Sequence, residues 1–144
     1  MVKLFFLLCL TLNLWGAISP DVVDAIVLFD QEKLVVSLTT QQEAQEALPN
    51  GKTLVMLASY KGNNEALKYL LSLGGDVNAQ DSEGRTALML AIWNDFKDII
   101  HTLLEHGASV HLKAYDGTTA LKLAKLKNDK KLMDDLTSRG AKEE

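Results

Sequence analysis

Apolar residues recur along the chain in a train of short segments at helical spacing. Ala66, Leu67, Leu70 and Leu71, and then Ile99, Ile100, Leu103 and Leu104, each fall on one face of a helix. Ahead of each lies a shorter apolar stretch, Val55, Leu57 and Ala58 in one case and Leu88, Leu90 and Ala91 in the next, and Leu121, Leu123 and Ala124 continue the series. The pattern predicts pairs in which a short helix with a small, closely packing face is backed by an amphipathic second helix. Gly74, Gly107 and Gly140 are placed as the glycines that end the second helices. Gly51, Gly84 and Gly117 mark turns where positive φ is cheap, and Thr53, Thr86 and Thr119 follow them in position to cap the first helices through their hydroxyls. The one continuous apolar run, Leu4 to Trp15, is of another kind. Lys3 precedes it and Gly16, Ala17, Ile18, Ser19 and Pro20 follow, the order of a secretory signal peptide.

The segments repeat. Gly51 to Ala58, Gly84 to Ala91 and Gly117 to Ala124 superpose without a gap at a spacing of 33 residues (84 − 51 and 117 − 84), and Leu70, Leu103 and Leu136 keep the same step, as do Val77 and Val110. No such unit buries its apolar faces alone, so the units must stack, and stability becomes a nearest-neighbour sum. With Asp81-Ser82-Glu83-Gly84-Arg85-Thr86-Ala87-Leu88 and Gly74-Gly75-Asp76-Val77-Asn78-Ala79, the chain resembles the ankyrin repeat. That resemblance implies an all-α ankyrin-repeat solenoid with β-turn fingers, made of regular units at 48–80, 81–113 and 114–144. Residues 18–47 match in helix pattern only, with Ala25 under Ala58, Leu34 under Leu67 and Leu38 under Leu71 but Gln41 in place of Gly74, and read as a degenerate N-terminal capping unit. The family's Pro is replaced by Leu54, Ala87 and Ala120 and its His by Met56, Met89 and Lys122, so the bonds that His makes between repeats are missing.

Composition then narrows the setting. With 47% hydrophobic and 24% charged residues the chain reads as an ordinary globular domain behind a leader at 1–17, too short and interrupted by Asn13 to span a bilayer. Cleavage is expected after Gly16 or Ala17. Leu7 and Leu8 before Cys9 do not suit a lipid attachment site, and Cys9 is the sole cysteine, so the exported part would hold no disulfide. Together with the lack of a glycosylation sequon, this points to the periplasm of a Gram-negative bacterium. The formal charge is −4, with six acids against Lys33 between Ile18 and Asn50, while Lys122, Lys125, Lys127, Lys130 and Lys131 make the last unit polar, as an end cap requires.

No nucleophile motif, phosphate-binding loop or paired His-carboxylate signature is present, and His101, His106 and His111 have no metal-ligand spacing. A non-catalytic module without cofactor or metal is expected. Net negative charge disfavours nucleic acid. The resemblance implies a protein partner on the concave side, at the fingertips and first helices, with the free chain a monomer. The fingertip positions hold Pro49, Asn50 and Lys52, then Ser82, Glu83 and Arg85, then Tyr115, Asp116 and Thr118; the first helices end in Tyr60 and Lys61, Trp93 and Asn94, and Leu126 and Lys127. Among these, Tyr60, Lys61, Ser82, Glu83, Arg85, Trp93, Asn94, Tyr115 and Asp116 form the expected partner surface. Trp93 leads, since exposed large aromatics beside Arg dominate interface energetics; its other reading is partial burial against Phe96 or the neighbouring unit. An inhibitor or immunity protein of an envelope enzyme is the expected role, with an accessory protein for a periplasmic catalase, in haem delivery or maturation, as the alternative.

Overall fold

The computed structural model describes residues 20–37 and 45–142. Eight helices run through them: α1 Pro20–Val27, α2 Gln31–Ser37, α3 Leu54–Lys61, α4 Asn64–Ser72, α5 Ala87–Trp93, α6 Lys97–Glu105, α7 Ala120–Leu126 and α8 Lys130–Ser138. The leader at 1–17 lies outside the described residues, as do Leu38 and Gln41 of the N-terminal unit. Consecutive helices pair, and like stacks on like. α1, α3, α5 and α7 form one layer; behind it α2 packs on α4 and α4 on α6, while α8 is held mainly by α7. This is the all-α stack that the period implies.

Burial follows position in the stack. Every residue of α5 from Ala87 to Ile92 is buried, because the helix has α3 and α7 on either side and α6 behind. A helix apolar all round can only exist between neighbours. The second helices bury one face each: Ala66, Leu67 and Leu70 in α4, Ile99, Ile100, Leu103 and Leu104 in α6, and Leu132 and Leu136 in α8. Thr53, Thr86 and Thr119 do cap the first helices, their hydroxyls accepting the N–H groups of Met56, Met89 and Lys122 at 3.1–3.3 Å.

The fingers repeat in the same way. The N–H groups of Leu48, Asp81 and Ala114 donate to the carbonyls of Lys52, Arg85 and Thr118, closing three like turns. Gly84 takes φ +76° there, and a Cβ on it would come within 2.8 Å of the Tyr115 backbone nitrogen, so the next finger presses directly on it. At Gly117, φ +79°, nothing lies within 4 Å. No further finger presses on it among the described residues.

The N-terminal unit keeps the geometry where its sequence has drifted. Ala25 and Leu34 are buried, as their alignment with Ala58 and Leu67 requires. Gln45 donates to the Gly74 carbonyl, the same bond that Asn78 makes to Gly107 one unit later. The turn between paired helices is left-handed in all four units, at Phe29 (φ 59°), Gly62 (φ 76°), Asp95 (φ 61°) and Asn128 (φ 53°). Phe is the costly occupant, since its Cβ crowds the following carbonyl in that region.

The family's His is absent, and other side chains tie the units together. Asn63 donates to the Ile26 carbonyl, Asn78 to Gly107 while its oxygen accepts the Ser109 N–H, and Gln80 to Lys113. Ser82 Oγ reaches the Asn50 carbonyl and Thr102 Oγ1 reaches Asn64. Met56 and Met89, standing where the His would be, serve as apolar core.

Candidate functional site

The ends of α3 and α5 face the fingertips across a cleft of about 660 Å³. Met89 and Leu90 of α5, Leu123 of α7 and Ala114 contribute its apolar lining. Tyr60, Trp93 and Tyr115 stand along it, and Lys52, Ser82, Glu83, Arg85, Asp116 and Thr118 supply the polar rim.

The spacing of the repeat sets this arrangement. Tyr60, Trp93 and Leu126 occupy one position at 33-residue intervals, at or next to the last residue of α3, α5 and α7, and they are 41%, 59% and 70% exposed. Three residues earlier Leu90 and Leu123 are buried and Leu57 is half-buried. The chain therefore leaves the core just as it reaches these side chains, and a column of large apolar groups faces solvent. Tyr115, 77% exposed, rises from the last finger, where its N–H donates to the Glu83 carbonyl and its ring leans on Gly84.

Seven of the nine side chains expected from sequence meet here: Tyr60, Ser82, Glu83, Arg85, Trp93, Tyr115 and Asp116. Lys61 and Asn94 do not line the cleft. The Asn94 amide turns back to donate to the Leu90 carbonyl at 2.8 Å, finishing α5, and Lys61 stands over the Tyr60 ring. Phe96, the other proposed neighbour of Trp93, lies against Gly62 of the preceding unit, where a Cβ would meet its ring at 3.0 Å. Leu126, named at the equivalent helix end but left out of the expected surface, is exposed outside the lining, and the lining from Met89, Leu90 and Leu123 was not singled out by sequence reasoning. The 33-residue step from Trp93 marks Leu126; the lining has no such mark, because Leu at those positions reads equally as core.

Charge is fixed most firmly in the middle finger. The Asp81 carboxylate, closed off from solvent, accepts Nε and Nη2 of Arg85 and the N–H groups of Glu83 and Arg85. Burial pushes this carboxyl up, but the guanidinium and the two backbone donors outweigh it and hold it below the ordinary range. Arg85 also pairs with Glu83 at 2.9 Å, which sets the guanidinium at the cleft edge. Lys127 lies 5.4 Å from the Trp93 ring centroid, and Lys52 5.3 Å from that of Tyr60.

The remaining polar groups serve the scaffold. His106 Nδ1 is 2.8 Å from the Thr102 carbonyl and His101 pairs with Glu105 across one helical turn. Among the described residues no cluster of His, Cys, Asp or Glu could hold a metal ion, and no helix is long and apolar enough to cross a membrane. The cleft offers apolar area, aromatic faces and fixed charges, which are means of recognition. A family model described as ankyrin repeats, in three copies, matches residues 21–114. The comparison with curated proteins finds no match. With two-helix units in register at 33 residues and a family model over most of its length, the chain belongs to the ankyrin-repeat family.

Proposed function

We propose that this protein interaction module binds its partner in the cleft between fingertips and first helices, and that after export it restrains an enzyme of the cell envelope. The observation that carries the docking site is the convergence of Tyr60, Trp93, Tyr115 and Arg85 on one concave surface with an apolar lining. Aromatic and Arg side chains clustered around a desolvatable centre are where binding energy concentrates. The leader pattern at 1–17 supports action outside the cytoplasm. Ankyrin repeats typically act by binding rather than by chemistry, so the partner would supply the activity that is regulated.

The test is affinity capture of the exported protein from envelope extracts, with wild type and Trp93→Ala compared side by side. A partner retained by the wild type should be lost or weakened by a hot-spot amount, about 2 kcal/mol, with the thermal melt unchanged because the indole lies outside the core. Addition of the purified chain should then lower the activity of the captured enzyme. Equal capture by the Trp93→Ala variant places the partner on another surface; capture without any change in activity removes the inhibitory role.

A further inference from the structure

The charges around the cleft are unequally satisfied. Glu83 is committed to Arg85 at 2.9 Å, and Asp116 accepts the Thr118 N–H at 2.8 Å. Arg85 is matched by Asp81 and Glu83 together. Lys52, Lys61 and Lys127 are in a different position. Their ammonium groups stand 5.3 and 5.7 Å from the Tyr60 ring centroid and 5.4 Å from that of Trp93, and no carboxylate among the described residues pairs with them. Other lysines of the chain have found one: Lys33 pairs with Asp21, and Lys97 with Asp95 and Asp129. On a chain of formal charge −4, the rings of Tyr60 and Trp93 thus have unpaired positive charge beside them, from Lys52 in the cleft lining and from Lys61 and Lys127 just outside it. An ammonium over a ring still directs N–H donors outward, and an arriving carboxylate would meet them beside apolar surface, where screening is weak.

We propose that the cleft takes an extended polypeptide segment that carries carboxylates towards both ends and bulky apolar side chains between them. The carboxylates would meet Lys52 on the first regular unit, with Lys61 outside the lining beside Tyr60, and Lys127 beside Trp93 at the far edge. The apolar side chains would cover Trp93, Leu123 and the Met89–Leu90 lining. This rests on the reading of the cleft as the partner surface, and it adds the partner's chemistry. A polyanion with no apolar groups would satisfy the lysines and leave that lining uncovered.

Random peptides displayed on phage and selected on the full chain test it. Selected peptides should be enriched in Asp and Glu together with aromatic or aliphatic residues. They should bind at least about tenfold more weakly to the Lys52→Gln/Lys127→Gln double variant, and should weaken between about 100 and about 500 mM salt. Circular dichroism melts of the variant should match wild type, since both side chains lie outside the core. Peptides that depend on Trp93 but lack acids, or that ignore the double variant, overturn the charge assignment and leave the docking surface standing. A selection that yields no Trp93-dependent peptide overturns both. Heparin or an oligonucleotide that binds as tightly as the best peptide, with the same lysine dependence, replaces the polypeptide by a general polyanion and also overturns it.

Discussion

Asp81 holds a full charge away from water because four donors converge on it, two from Arg85 and two from the finger backbone. Its folded carboxyl is held below the unfolded value, so the stability it contributes is fully present above about pH 4 and is lost as pH falls through the folded value. Asp116, through Thr118, and Asp129, through Lys97, shift in the same direction. Thermal melts should therefore fall in temperature from about pH 4 downward. The Asp81→Asn variant should be less stable at neutral pH by about 1–3 kcal/mol and show a flatter acid limb. An acid limb as steep as that of wild type would show that Asp81 does not carry the effect. At this scale the sequence was informative where a residue type conflicts with its slot, as with Trp93, Tyr60 and Tyr115 at solvent-facing positions. It was silent where one residue type fits two roles. Asn94 could contact a partner or finish a helix, and only the direction of its amide decides; Leu90 and Leu123 could be core or cleft lining, and they are both.

In the elements, the glycines and threonines of the repeat did what their positions predicted, because caps and left-handed turns are local and leave a residue signature. The left-handed turn between paired helices leaves one in three units, since Gly62, Asp95 and Asn128 are residue types that tolerate it, and Phe29 alone breaks the column. Gln45 breaks another column, making the bond of Asn78 with a longer side chain. Stacking adds a cost that no single element reveals. Gly84→Ala and Gly117→Ala both force a methyl group into positive φ, at about 1–2 kcal/mol each. Only Gly84 also has the backbone of the next finger in the way, at 2.8 Å. Urea melts should show Gly84→Ala as clearly the more destabilising of the two. Equal losses would mean that the fingers yield freely to one another and that the close approach is unimportant.

For the molecule as a whole, an open stack distributes stability by the number of neighbours. Among the described residues, α5 lies between α3 and α7 with α6 behind it, while α2 packs chiefly on α1 and less on the next unit, and α8 leans chiefly on α7. Native-state hydrogen exchange should be slowest in α5 and α6, and faster by at least about tenfold in α2 and α8. Uniform protection would mean that the chain unfolds as a single unit, without a gradient. The overall architecture was readable from the period alone, including the N-terminal unit, whose buried Ala25 and Leu34 were identified by counting back 33 residues. What counting could not supply was the route of the bonds between units, since Asn63, Asn78, Gln80, Ser82 and Thr102 stand in for the family's His from five places.

The column of Tyr60, Trp93 and Leu126 sits at the edge of the packed helices, outside the positions on which folding depends. On the proposed docking surface, substitutions there would alter what the protein recognises without disturbing how it folds. A lineage of such chains could therefore follow a changing target by rewriting three letters, one per unit, and pass the scaffold on unedited.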